Sequence, residues 1–121
     1  MMIRRPLARA PHRKGRMNGL ETDYAAVLAG RRACGEIAGF WFEALQMNLA
    51  PGLRCSYTPD FLVQRADGVL ECHEVKGHWE DDARVKIKVA AEKFPFVFVA
   101  VTRPSRGRGW QYERFTREEG A

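Results

Sequence analysis

The chain has 121 residues, enough for one domain with an ordinary core and too few for two. Hydrophobic residues make up 45% and charged residues 29%, which excludes wholesale disorder, and no apolar run approaches the ~20 residues of a membrane span. The net charge of +5 is concentrated, because residues 1–18 hold six basic side chains and no acid while the remaining 103 carry 14 basic and 15 acidic.

Residues 1–17 therefore read as a flexible cationic arm, carrying Arg4, Arg5, Arg9, Arg13, Lys14 and Arg16 and interrupted by Pro6, Pro11 and Gly15. Such an arm binds a polyanion, nucleic acid being the commonest, or serves as a solvated tail. No apolar stretch follows the basic start, so no secretory signal is expected. Cys34, Cys55 and Cys72 are an odd count with no Cys-x-x-Cys pair. That pattern argues against a disulfide scaffold or a structural zinc site and for the reducing cytoplasm.

Residues 18–121 are predicted to form a single domain. Asn18-Gly19-Leu20-Glu21 marks a helix start, and Tyr24, Ala25, Leu28 and Ala29 recur at helical spacing up to a stop near Gly30 or Gly35. Residues 36–49 hold a strand-like stretch around Phe40-Trp41-Phe42, with Trp41 and Trp110 expected in the core or an interface, and Pro51-Gly52 makes a turn. A hairpin follows. Cys55, Tyr57, Phe61 and Val63 are expected on one face of a continuous strand, with Ser56, Thr58, Asp60 and Leu62 on the other. A turn containing Asp67-Gly68 returns the chain along residues 69–76.

Glu80-Asp81-Asp82 opens a second helix, with Ala83, Ile87, Ala90 and Ala91 as its buried stripe and Pro95 beyond its end. Residues 96–101 are apolar on both faces, as a central strand requires. A basic, glycine-rich loop over 103–109 leads to a final edge strand over 110–115. The link from residue 69 to residue 101 predicts a right-handed parallel crossover. The expected architecture is α/β, a mixed central sheet flanked by helices in the order αβββαβ.

Alternation places Glu74 and Lys76 on one strand face and Val75 on the other. A three-residue turn, Ala66-Asp67-Gly68 with Gly68 left-handed, sets Asp60 directly opposite Glu74. Two adjacent carboxylates repel unless a divalent cation sits between them. Leu70 and Cys72 share their face and are apolar, so the face is not simply solvated. Glu21 has two readings: partner of Asn18 in a capping box, or head of the helical face formed by Tyr24, Ala25 and Leu28. Cys72 and His73 point to opposite faces, which argues against their sharing a zinc ion with His78. Glu71 is expected to be a solvated or paired strand residue. Arg84, Lys86, Lys88 and Lys93 could grip phosphates or form a solvated helix surface.

Tyr57-Thr58-Pro59-Asp60-Phe61 followed by Glu74-Val75-Lys76-Gly77, in this order of elements, resembles the PD-(D/E)xK nuclease superfamily over most of residues 18–115. It is most similar there to small phage-borne endonucleases of the endonuclease I type, which resolve Holliday junctions. The resemblance implies a restriction-endonuclease-like core and metal-dependent DNA cleavage leaving 5′-phosphate and 3′-hydroxyl ends. Asp60 and Glu74 would ligate Mg2+, with Mn2+ as substitute, together with the Val75 carbonyl and a first-helix glutamate matching Glu21. Lys76 would contact the attacking water or the scissile phosphate. A homodimer and the cytoplasm of a bacterial host are implied too, and no membrane. Arg13, Lys14, Arg16, Arg84, Lys86 and Lys88 are the candidate DNA contacts. The alternative is a non-catalytic DNA-binding accessory protein on a nuclease-like fold.

Overall fold

The computed structural model describes residues 15–50, 52, 54–103, 105, 107 and 109–117. The arm through residue 14, Arg13 and Lys14 included, lies outside the described residues. Asn18 caps the first helix, α1 (Gly19–Ala33), through a reciprocal pair. Its Oδ1 accepts from the Glu21 amide at 2.8 Å, and Glu21 Oε1 accepts from the Asn18 amide at 2.9 Å. This box satisfies two amides that no helical carbonyl can reach. At the other end Gly35, with φ of 84°, lets the Gly35 and Glu36 amides donate back to the Arg32 and Arg31 carbonyls at 3.1 and 2.9 Å. That reversal needs a left-handed residue, so the helix stops at Gly35 and runs through Gly30.

Five strands form one sheet in the order β1 (Ile37–Phe42), β4 (Phe61–Arg65), β5 (Leu70–Lys76), β6 (Val97–Thr102) and β7 (Gln111–Phe115). Two short strands, β2 (Met47–Asn48) and β3 (Ser56–Tyr57), pair separately. Only β5 and β6 run parallel, joined by α2 (Asp81–Lys93); the other pairs of the large sheet are antiparallel. The fold is thus α/β, a mixed five-stranded sheet with two helices. The small ladder is an addition to the expected order, whereas β7 is the final edge strand expected over 110–115.

The continuous strand expected over residues 55–63 is interrupted. Pro59 has no amide to donate, so the ladder cannot pass it. On the near side β3 pairs with β2, Met47 opposite Tyr57, and β4 begins only at Phe61. Glu43, at φ of 48°, follows the end of β1 at the same level, its amide donating to the Asp60 carbonyl at 2.9 Å. Tyr57 consequently packs on the opposite side of the sheet from Phe61 and Val63.

The core has two halves. Phe98 and Ala100 of β6 face the α2 side, with Cys72, Tyr57, Ile87, Ala90 and Ala91. Val99 and Val101 face the α1 side, with Tyr24, Leu28, Phe61, Val63 and Val75. Alternate strand residues face opposite ways, so a strand apolar on both faces is the one covered by both layers. Trp41 departs from expectation: it is 47% exposed on the edge strand β1. Its indole lies over Gly39, where a Cβ would come within 3.0 Å of the ring, so the ring covers backbone rather than core.

Candidate functional site

The β4–β5 register runs Phe61 to His73 and Leu62 to Cys72, so the next step sets Asp60 opposite Glu74. The turn is the three-residue one its sequence predicts. The Arg65 amide donates to the Val69 carbonyl at 2.9 Å, and Gly68 takes φ of 91°. Beyond the last ladder pair, side chains take over as partners. The Val75 amide donates to Asp60 Oδ2 at 2.8 Å, and the Asp60 amide donates to Glu74 Oε1 at 3.2 Å. The break at Pro59 thus leaves strand-end amides to hold carboxylates instead of carbonyls.

Glu21, 3% exposed, reaches the same place from α1. It stands close enough to Asp60 and Glu74 to act on the ionisation of both. The two sequence readings of Glu21 are therefore compatible, with Oε1 serving the cap while the carboxyl group meets its neighbours. Lys76 lies two residues beyond Glu74 and its positive charge favours the Glu74 carboxylate.

Burial makes the Asp60 charge costly, and the Glu74 charge adds to that cost. The Val75 amide and Glu21 oppose them, and the balance pushes Asp60 up to about 7. Glu74 is also raised, by burial first, against its hydrogen bonds to Asp60 and the Lys76 charge. Buried carboxyl groups gathered this way favour holding a proton, and a divalent cation can take the place of that proton. Asp60, Glu74, Glu21 and the Val75 carbonyl would make an all-oxygen donor set, which suits a hard cation such as Mg2+. Among the described residues no three His, Cys, Asp or Glu side chains stand as a ready cage. Each of the three carboxyls has one oxygen engaged by a backbone amide. A cation would bind here in competition with protons.

Sequence reasoning passed over Tyr57. Its hydroxyl and the Trp79 indole N–H are the buried side-chain polar atoms without a partner among the described residues. Tyr57 packs with Cys72 on the face that also carries Glu74. Burial, then the Glu74 and Asp60 charges, keep the phenol protonated. Only the aromatic ahead of Thr58-Pro59-Asp60 marks the position in the sequence, and nothing local announces a hydroxyl without a partner.

The remaining candidates separate. Cys72 is buried on the α2 side and His73 is hydrogen-bonded on the other, the opposite faces that strand alternation requires. Arg84 is engaged by Glu113 through two hydrogen bonds of 2.8 and 3.0 Å and lies over the Phe115 ring at 5.6 Å. Lys86, Lys88 and Arg16 are exposed. No helix among the described residues is long and apolar enough to cross a membrane. Compared with known protein families, characterised proteins and solved structures, the chain has no match.

Proposed function

We propose that this chain is a Mg2+-dependent endodeoxyribonuclease on a restriction-endonuclease-like core, similar to the PD-(D/E)xK superfamily. One observation supports the reading above all. Asp60 and Glu74 are held opposite each other, with Glu21 against them and Lys76 beside them, where burial and mutual charge push Asp60 up to about 7. A protein with no use for a cation has no reason to gather three carboxyls at such a cost.

Asp60, Glu74, Glu21 and the Val75 carbonyl would hold the ion. When bound, Mg2+ polarises the phosphodiester and lowers the pKa of a nearby water. The Lys76 ammonium orients that water or stabilises the charge that builds on the phosphoryl oxygens. Water oxygen bonds to phosphorus as the P–O3′ bond breaks, and the proton released by the water balances the one taken up by the 3′-oxygen. The products are 5′-phosphate and 3′-hydroxyl ends. The preferred substrate is branched DNA such as a Holliday junction, cut symmetrically by a homodimer in the cytoplasm of a bacterial host.

A second reading, a non-catalytic DNA-binding accessory protein on a similar fold, is favoured by one observation: an amide already engages one oxygen of each carboxyl. Cleavage of supercoiled plasmid, a synthetic four-way junction and a matched linear duplex decides between them. The nuclease cuts in Mg2+ or Mn2+, prefers the junction and is silent in chelator. DNA binding without cleavage in either metal selects the accessory protein.

A further inference from the structure

Behind the carboxyls, on the α1 side of the sheet, runs a second polar construction. Tyr24, His73 and Glu71 are 0%, 2% and 7% exposed. The Tyr24 hydroxyl lies 2.7 Å from His73 Nδ1, and His73 Nε2 lies 2.9 Å from Glu71 Oε1. Arg114 of β7 donates to Glu71 Oε2 at 3.0 Å, and Arg65 of β4 stands 3.9 Å from the same oxygen.

Proton positions follow from the ends of the chain. The His73 hydrogen bond holds Glu71 below the usual carboxylate range, so Glu71 is an ionised acceptor and His73 Nε2 must carry the hydrogen. The other ring nitrogen, Nδ1, is left to bond the Tyr24 hydroxyl. Every link has one donor and one acceptor.

An apolar trio of similar volume would fill this space at no desolvation cost, so stability alone does not account for the chain. A directional bond does what apolar contact cannot: it fixes how far one element slides along another. The two elements joined are those that matter. Tyr24 sits one helical turn after Glu21 on the buried face of α1, and His73 immediately precedes Glu74 on β5.

We infer that Tyr24–His73–Glu71 is a positioning relay that sets where Glu21 stands relative to Asp60 and Glu74, making Tyr24 a positioning residue of the metal site. The inference rests on the reading of those carboxyls as metal ligands. Glu71, clamped by Arg114, fixes the tautomer of His73; His73 fixes Tyr24; and Tyr24 fixes the helix that presents Glu21.

The test is Mn2+ affinity by calorimetry, well below the melting temperature, in the full chain and in Tyr24→Phe, Glu21→Gln and the double variant. Tyr24→Phe removes only the hydroxyl and keeps the ring against Phe61 and Trp110, at 5.8 and 5.1 Å. It is expected to weaken Mn2+ binding by on the order of tenfold in the parent background, and to have no further effect once Glu21 is Gln. Glu71→Gln, at the far end of the relay and on β5 rather than on α1, is expected to give a similar loss if Tyr24→Phe proves too unstable to titrate. Unchanged affinity in a variant that merely melts earlier overturns the relay and leaves the metal site standing. Equal losses with and without Glu21 overturn it too, since Tyr24 would then act elsewhere. A parent chain that binds no Mn2+ removes the metal site itself, and the relay with it.

Discussion

Asp60 is held where an ionised carboxylate is expensive, and that cost can be read as a pH dependence. Its folded pKa lies at about 7, above the ~3.9 of an unfolded aspartate. The folded chain therefore binds the proton more tightly than the unfolded one. The stability this contributes is intact below about pH 4 and is lost as pH rises through about 7. Asp60→Asn abolishes the titration while its amide oxygen still accepts from the Val75 N–H. In chelator at pH 8 the variant is expected to melt above the parent by on the order of 5 °C, and the gap closes near pH 4. Melting curves across that range check it, and a parent as stable as the variant at pH 8 would show the carboxyls under no strain. The same variant should lose DNA cleavage by about a hundredfold or more. Lys76→Met keeps the aliphatic stem and removes only the charge. Metal and DNA binding are expected to survive while single-turnover cleavage collapses, because in the proposed reaction the ammonium would act on charge that develops in the transition state. Lost DNA affinity with normal turnover would make Lys76 a phosphate anchor instead.

Among the elements, α1 ties stability to the site. Its N-terminus is built on the Asn18–Glu21 box, and Glu21 is also the helix's contribution to the carboxyl cluster. Asn18→Ala leaves the Glu21 amide without its side-chain acceptor and is expected to cost ~1 kcal/mol by urea denaturation. The loosened first turn should also weaken Mn2+ binding; a destabilised variant with unchanged Mn2+ affinity would separate cap from site. Both the box and the β4–β5 register were legible in the sequence, because caps and three-residue turns are decided by neighbours a few positions apart. The interruption at Pro59 was legible in principle, since a proline cannot sit inside a ladder. Its consequence was not, because β3 moves to β2 only where β1 also turns away at Glu43. Arg84 illustrates the other limit. It reads as a free helix cation, yet its partner Glu113 stands 29 residues further on, across to β7.

For the whole molecule, the proposed function requires a near-neutral domain with a cationic N-terminal segment to grip DNA, and the uneven charge makes that grip testable. Each phosphate neutralised on duplex DNA steepens the salt dependence of binding by about 0.9, so six arm contacts would give at most roughly five units. Deleting residues 2–17 is expected to reduce that slope by about two to four while leaving metal affinity and saturated turnover near the parent values. A salt titration of both chains in Ca2+, which should support binding without cleavage, measures it. An unchanged slope makes the arm a bystander and moves the grip to Lys86, Lys88 and the 103–109 loop.

The sequence by itself determined what depends on short spacing: the helix cap, the turn, the strand faces, and hence Asp60 opposite Glu74 with Lys76 on the same face. Period-two alternation says which way a side chain points, but not how deeply that direction is covered. Glu71 and His73 therefore read as ordinary strand residues. Only the tertiary structure, by laying α1 across that face and bringing Arg114 from β7, made them a buried relay. Tyr57 lost its hydroxyl partner in the same way, through packing between segments distant in the chain. Local stereochemistry is settled by near neighbours, whereas desolvation and long-range pairing exist only once the layers close.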